Sequence, residues 1–290
     1  MSHDIEAVAF DCYGTLIDFG DESFARAYGQ ICAEQGIPLD GHVFYDKWME
    51  VWRRLAREGH AADGGSIGVV ASGLENEPGP LSEAEVVPPH PEHHTPSAGR
   101  SRSLDGPLPH FRPYREEWPE HFAICFEELG VIGDPFVAHS RLVELIVEGP
   151  AFPEAHRALE AVRARLPIAL LSNADDDFLL PCLRRNGLSF PITVSSETAQ
   201  AYKPHAAIFR TLSDALGLAP SKILYVGDSR LADIAGAKNA GLRAAWINRK
   251  PDATANRSIE VNSSEAGKVT FEPDYEIDSL DRLVEVLDLR

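Results

Sequence analysis

The chain has 290 residues, 44% hydrophobic and 25% charged, enough apolar content for a sizeable core and too much for global disorder. Its 27 basic and 45 acidic residues give a formal charge of −18, which repels phosphate backbones and anionic lipid and speaks against nucleic acid or a membrane surface as partner. The length predicts two domains, or one domain carrying a large insertion.

Cys12, Cys32, Cys125 and Cys182 are far apart and form no CxxC pair, the usage expected of reduced thiols in a cytoplasmic protein. No apolar run reaches the roughly 18 residues of a membrane span. The start, Met1-Ser2-His3-Asp4-Ile5-Glu6, lacks the basic and apolar regions of a signal peptide.

In chain order, Ile5 to Phe10 reads as a short strand, halted at Asp11 and followed by the turn residue Gly14. Phe44, Trp48, Val51 or Trp52, and Leu55 share one helical face over 41–58. Trp118, Phe122, Cys125, Phe126 and Leu129 repeat that pattern over 116–129, and 136–147 is a third helix of this region. Residues 60–113 hold 9 of the 21 prolines and 7 of the 22 glycines, the mark of an irregular segment with little core of its own. From 151 onward helices and short apolar runs alternate. Helices at 154–166, 175–186, 205–217 and 230–240 precede strands beginning near Ile168, Ile192, Ile223 and Ala244. Residues 252–270 read as a polar surface loop, and 278–288 as a last helix.

This rhythm predicts a doubly wound parallel α/β sheet, Rossmann-like, whose first strand is separated from the rest by a helical insert. The core is residues 1–16 plus 151–290, and 17–150 form a helical cap containing the irregular segment.

Ligands of open α/β sheets bind at the carboxyl ends of the strands. Asp11, Tyr13 and Thr15 follow the first predicted strand, Ser172-Asn173 the second and Lys203-Pro204 the third. Gly227-Asp228-Ser229-Arg230 follows the fourth, with Asp233 close behind. Carboxylates, a lysine and hydroxyls gathered at one rim can hold a divalent cation and an anionic substrate.

The four motifs, in this order and on these elements, resemble the haloacid dehalogenase-like (HAD) hydrolase superfamily. They are Phe10-Asp11-Cys12-Tyr13-Gly14-Thr15, Leu171-Ser172-Asn173, Tyr202-Lys203-Pro204, and Val226-Gly227-Asp228-Ser229 with Asp233. The resemblance implies that Asp11 is a nucleophile forming a covalent aspartyl intermediate. It implies that Lys203 holds Asp11 and offsets charge, and that Ser172 and Asn173 bind a substrate oxygen, with Thr15 bonded within the site. Asp11, Asp228 and the Tyr13 backbone carbonyl would bind Mg²⁺, with Asp233 supporting them. Lys203 and Arg230 would supply positive charge for a small anionic substrate.

Two branches of the superfamily compete. Its phosphatases carry a second Asp two residues after the nucleophile as general acid and base, and here that residue is Tyr13, as in the 2-haloacid dehalogenases, which use no metal. Those dehalogenases have Ser and Asn where this chain has Asp228 and Arg230, and they place a cap arginine where Phe44-Tyr45-Asp46-Lys47 stands; Arg53 or Arg54 could substitute. Mg²⁺-dependent hydrolysis of a small phosphorylated metabolite is the favoured expectation. A metal-independent dehalogenase and a catalytically silent binding protein are the alternatives.

Three weaker signals remain. His90, His93 and His94 form a loop cluster able to take a transition metal, with a plain solvated loop as the ordinary reading. Cys12 is a small buried filler facing away from the site. Trp48 and Trp52 belong to the cap core more readily than to a substrate pocket.

Overall fold

A computed structural model describes residues 4–62, 104–108, 110–250, 259–263 and 267–288. The histidine cluster at 90–94 and most of the Pro/Gly-rich segment lie outside these residues. Six parallel strands form one sheet, β1 (Ala7–Phe10), β2 (Ile168–Ser172), β3 (Ile192–Ser195), β4 (Ile223–Gly227), β5 (Arg243–Ile247) and β8 (Tyr275–Ile277), in the spatial order β3-β2-β1-β4-β5-β8. Phe10 lies in register with Leu170 on one side and Val226 on the other. The strand ends that carry Asp11, Ser172 and Gly227 therefore come level at one edge.

The strands are apolar on both faces because both are covered. Phe10, Leu170, Val226 and Ile247 face one cluster, packed by α5 (Ala155–Arg163), α6 (Asp176–Arg185) and α10 (Leu280–Val286). Ala9, Leu171, Tyr225 and Trp246 face the other, packed by α8 (Ala206–Leu216) and α9 (Gly236–Asn239), with the one-turn α7 (Ser196–Ala199) following β3. That alternation is the two-residue period of a pleated strand read out as two cores. The fold is thus the expected α/β Rossmann-like core.

Between β1 and β2 the chain builds α1 (Asp21–Glu34), α2 (Gly41–Ala62), α3 (Tyr114–Glu128) and α4 (Pro135–Glu148). The outgoing and returning strands of this segment touch: Ile17 bridges Ala151, and the Phe152 amide donates to the Leu16 carbonyl at 2.9 Å. Its interior is aromatic. Trp48, fully buried, packs on Phe122 at 4.8 Å and Tyr28 at 5.3 Å between centroids. Trp52 is buried as well. Four details differ from the sequence expectation. Helix α1 went unread, although Phe24, Tyr28 and Ile31 sit at i, i+4 and i+7. The expected helix at 230–240 opens as a π-helical turn (Arg230–Ala235) before α9. Part of the expected loop at 252–270 is an antiparallel pair, β6 (Ile259–Ser263) with β7 (Gly267–Phe271), because alternating polar and apolar residues satisfy a hairpin as readily as a loop. The end of the Pro/Gly-rich segment is docked: the Leu104 carbonyl accepts from the Ala206 amide at 2.7 Å and from Asn239 Nδ2 at 3.0 Å.

Candidate active site

Strand order reverses at β1, the place where parallel α/β sheets open a crevice. Asp11 sits there, buried, on the residue after β1. Its Oδ1 accepts from Lys203 Nζ at 2.6 Å, with Ser172 Oγ at 3.4 Å. The same ammonium donates to Asp233 Oδ1 at 2.6 Å and the Tyr225 hydroxyl at 3.0 Å. Lys203 is 2% exposed, so each of its three donors must find an acceptor, and these are the three. The Lys203-Pro204 bond is cis. Asn173 clamps the lysine's backbone, accepting from the Lys203 amide at 2.7 Å and donating to its carbonyl at 3.1 Å.

Asp233, on the π-helical turn, is held on both oxygens, Oδ2 accepting from the Ser229 amide at 2.8 Å. Asp228 has looser company. Thr15 Oγ1 stands 3.5 Å from its Oδ1, and Trp246 Nε1 fixes its backbone carbonyl at 2.9 Å. Gly14 has φ +85°, and a Cβ there would lie 2.3 Å from Asp228 Oδ2, so only glycine lets the first loop pass the second carboxylate. Arg249 holds that loop, donating to the Gly14 and Thr15 carbonyls at 3.2 and 2.7 Å while pairing with Glu154 at 2.6 Å.

Carboxylate oxygens of Asp11, Asp228 and Asp233 all lie within 4.8 Å of one another. Lys203 supplies one positive charge against three negative ones. Burial pushes the Asp11 carboxyl up to about 6, the Lys203 charge opposing and the Asp233 charge adding. Burial, then the charges of Asp11 and Asp233, drive Asp228 well above the usual carboxylate range. For Lys203 burial opposes ionisation, yet Asp11 and Asp233 beside it hold the ammonium above its ordinary pKa. A divalent cation fits this donor set: hard oxygen ligands, close together, with excess negative charge.

Asp11, Thr15, Ser172, Asn173, Lys203, Asp228 and Asp233 come together at this cluster. Arg230 lies with its guanidinium 5.6 Å from the Trp246 ring centroid. The Tyr13 ring lines a small pocket. Tyr13, Asn173 and Phe178 line it from the sheet side, and Phe19, Phe24, Tyr114, Trp118 and Ile146 from the helical segment. Among the described residues the buried Tyr13 hydroxyl, near the Cys182 thiol, makes no well-formed hydrogen bond, and burial pushes its pKa well up. Cys12 is buried, as expected. Arg53 is exposed and Arg54 pairs with Glu128 at 2.6 Å, so neither enters the pocket. Sequence reasoning missed Tyr225, Trp246, Arg249 and, Tyr13 apart, the pocket's aromatic residues.

One more residue ties the helical segment to the site. Asp175, buried two residues after Asn173, accepts from the Tyr114 and Arg115 amides at 3.0 and 2.9 Å, capping α3 from across the interface. Arg115 also reaches Glu197 at 2.7 Å. Asp175→Ala strands two amides at a helix start and is expected to cost roughly 2 kcal/mol in denaturant unfolding; a change under about 0.5 kcal/mol, the range of ordinary surface substitutions, would contradict this tie.

Fold and geometry together define an α/β enzyme with a lysine-paired aspartate at the sheet's switch point. The sequence model of the haloacid dehalogenase-like hydrolases matches residues 5–241, and a second, of HAD-hydrolase-like proteins, matches 201–283. The chain belongs to the haloacid dehalogenase-like hydrolase family. Haloacetate dehalogenase H-2 of Moraxella sp. (strain B) is 35% identical over 112 residues, 38% of this chain and 50% of that one. The match thus spans half the length of that relative. Phosphoglycolate phosphatase of Yersinia pestis is 27% identical over 239 residues, 82% and 78% of the two chains. Among solved structures, YfnB of Bacillus subtilis, classed with the HAD-hydrolases and determined bound to magnesium, superposes with a TM-score of 0.65 at 19% identity over 98% of this chain and 99% of that one. Relatives of both activities are present, and at this similarity YfnB speaks for the fold alone.

Proposed function

We propose that the chain hydrolyses the phosphate ester of a small metabolite with a divalent cation, Mg²⁺ by preference. The observation that carries this reading is the cluster of Asp11, Asp228 and Asp233 against the single charge of Lys203. A dehalogenase acting on an anionic haloacid gains nothing from the extra carboxylate of Asp228 beside its nucleophile. Asp11 and Asp228 would hold the cation, with the Tyr13 carbonyl, and Asp233 would keep Lys203 in place. Bound there, the cation would offset the charge of the phosphoryl oxygens.

In this reading an Asp11 oxygen attacks phosphorus as the ester oxygen departs with its electron pair. Lys203 keeps Asp11 aimed and stabilises charge on the transferring group. Ser172 donates to a phosphoryl oxygen. Water then cleaves the aspartyl phosphate, releasing inorganic phosphate and restoring the carboxylate. The second reading is 2-haloacid dehalogenation, favoured by Tyr13 in place of an acid–base carboxylate, since a departing halide needs no proton.

Phosphate release from acetyl phosphate and a panel of monoesters, with Mg²⁺ or EDTA, beside chloride release from 2-chloropropionate, separates the two. The expected result is Mg²⁺-dependent phosphate release; EDTA-resistant chloride release would replace this reading with the second. The cation has its own readout. Mg²⁺ at about 100 times its Kd is expected to stabilise the protein by roughly 2.7 kcal/mol, seen as a higher Tm. Asp228→Asn is expected to abolish that rise, and an equal rise in the variant would place the ion elsewhere.

A further inference from the structure

We propose that Arg249 is a positioning residue that couples the cation-holding loop after β1 to the crossing where the helical segment leaves and rejoins the sheet. The inference rests on the cation-dependent reading above and adds how this chain's own residues set that site. Two groups of contacts, on either side of the guanidinium, carry it.

On one side lies the loop 12–17. It is wound on itself: the Leu16 and Ile17 amides donate to the Cys12 carbonyl at 2.8 and 2.9 Å, and the Gly14 amide donates to the Ile17 carbonyl at 2.8 Å. A loop tied in this way shifts as one piece, and the Tyr13 carbonyl shifts with it. Arg249 Nε donates to the Gly14 carbonyl at 3.2 Å, and Nη2 donates to the Thr15 carbonyl at 2.7 Å. These are the residues where the loop passes Asp228. A Cβ on Gly14 would lie 2.3 Å from Asp228 Oδ2, and Thr15 Oγ1 stands 3.5 Å from Oδ1. The guanidinium therefore fixes where the loop stands against Asp228, the other side of the proposed cation site.

On the other side lies the returning chain. Arg249 Nη1 pairs with the buried Glu154 at 2.6 Å, and the guanidinium carbon lies 3.4 Å from the centroid of the Phe152 ring. These residues belong to the crossing. The Phe152 amide donates to the Leu16 carbonyl at 2.9 Å, the Asp18 amide donates to the Pro150 carbonyl at 2.8 Å, and Ile17 bridges Ala151. Arg249 is itself anchored to the sheet, because the adjacent Asn248 amide donates to the Ile277 carbonyl at 2.7 Å. One side chain thus touches the loop and the crossing from a fixed base. A planar guanidinium directs donors along its edges and stacks by its face, which a lysine ammonium cannot do. A shift at the crossing reaches the loop through it. By linkage, a cation seated on the loop steadies the crossing.

The experiment titrates Mg²⁺ alone into the parent, Arg249→Met, Arg249→Lys and Leu212→Ala by calorimetry, at a temperature where all are folded. Amide exchange in the peptide spanning 150–155 is followed with and without Mg²⁺. Arg249→Lys keeps the charge and guards against a folding defect in Arg249→Met. Leu212 is a fully buried residue of α8 in the cluster on the opposite face of the sheet, so its loss reports general destabilisation. Both Arg249 variants are expected to weaken Mg²⁺ binding by roughly tenfold or more, the scale for groups that orient metal ligands from behind. Leu212→Ala is expected to leave it within about twofold. Mg²⁺ is expected to slow exchange at 150–155 in the parent and to leave it unchanged in Arg249→Met. Three results would each overturn the coupling and leave the phosphatase reading standing. They are Mg²⁺ bound by either Arg249 variant as tightly as by the parent, an equal weakening in Leu212→Ala, or Mg²⁺ slowing of 150–155 that is absent from a Mg²⁺-binding parent or survives in Arg249→Met. No Mg²⁺ binding by the parent overturns both.

Discussion

Asp11→Asn is expected to lower kcat by roughly 10⁴–10⁶-fold, the scale seen when an enzyme loses its nucleophile, while the protein stays folded. Asparagine keeps the shape, and its Oδ1 can still accept from Lys203 Nζ, which keeps its second anchor on Asp233 at 2.6 Å. The amide also removes one of three crowded negative charges. In the metal-free protein that charge has a pH signature. The folded Asp11 carboxyl lies at about 6, above the ~3.9 of an unfolded aspartate, so the native state holds its proton more tightly. The stability this contributes is complete below about pH 4 and lost as pH rises through about 6. Asp11→Asn lacks that loss, so in EDTA its Tm should gain on the parent between pH 4 and 7. Peptide mass spectrometry of the acid-quenched parent should find phosphate on the peptide containing Asp11 and none in the variant. Retained turnover, or an adduct on another residue, would remove Asp11 from the proposed role.

The positions that sequence reading found are those where an apolar run ends in a polar residue. Phe10 before Asp11, Leu171 before Ser172 and Gly227 before Asp228 mark strand ends, and parallel register brings such ends together without further information. The positions it missed are polar groups inside apolar runs or contributed from afar. Tyr225 sits in Ile223-Leu224-Tyr225-Val226 and looks like a strand filler. Its hydroxyl nevertheless donates to the Leu171 carbonyl at 2.9 Å and receives Lys203. Trp246, in β5, and Arg249, just after it, act on the site through a carbonyl of Asp228 and carbonyls of the first loop. No spacing rule reports such contacts. The pocket was illegible for a related reason: its rings come from α1, α3, α6 and the connection between β1 and α1, and each looks like ordinary core on its own element. Trp48 and Trp118 illustrate this. Both are buried aromatic residues at helical spacing, 6.4 Å apart between centroids, yet only Trp118 lines the pocket.

The order of forces in the site also explains what Asp175 does for it. Ser172 and Asn173 are fixed from below by β2 and from the side by Lys203. Asp175, two residues on, grips the first turn of α3, which carries Tyr114 and Trp118. One short segment, 172–175, thus sets both the groups around Asp11 and the wall of the pocket. The groups around Asp11 and the packing of α3 are coupled through the backbone between them.

Lys203→Met is expected to be the most damaging single change to stability, costing roughly 3–5 kcal/mol, the scale for breaking a buried ion pair, together with all measurable turnover. The lysine sits at 2% exposure between two carboxylates at 2.6 Å each. Without it Asp11, Asp228 and Asp233 share one pocket with no counter-charge, and the Tyr225 hydroxyl loses its ammonium partner. Methionine fills much of the volume, so the loss is electrostatic more than steric. Two rescues follow from that cause. Asp11→Asn added to Lys203→Met should recover part of the lost stability, since one uncompensated charge goes with it, giving a coupling energy on the order of 1–3 kcal/mol in a double-mutant cycle. Mg²⁺ should raise the Tm of Lys203→Met by more than that of the parent, because the ion then offsets charge that nothing else does. Strict additivity of the two substitutions in urea unfolding would show that Lys203 stabilises by packing alone. A Mg²⁺ response no larger than the parent's would separate the lysine from the carboxylates assigned to the ion.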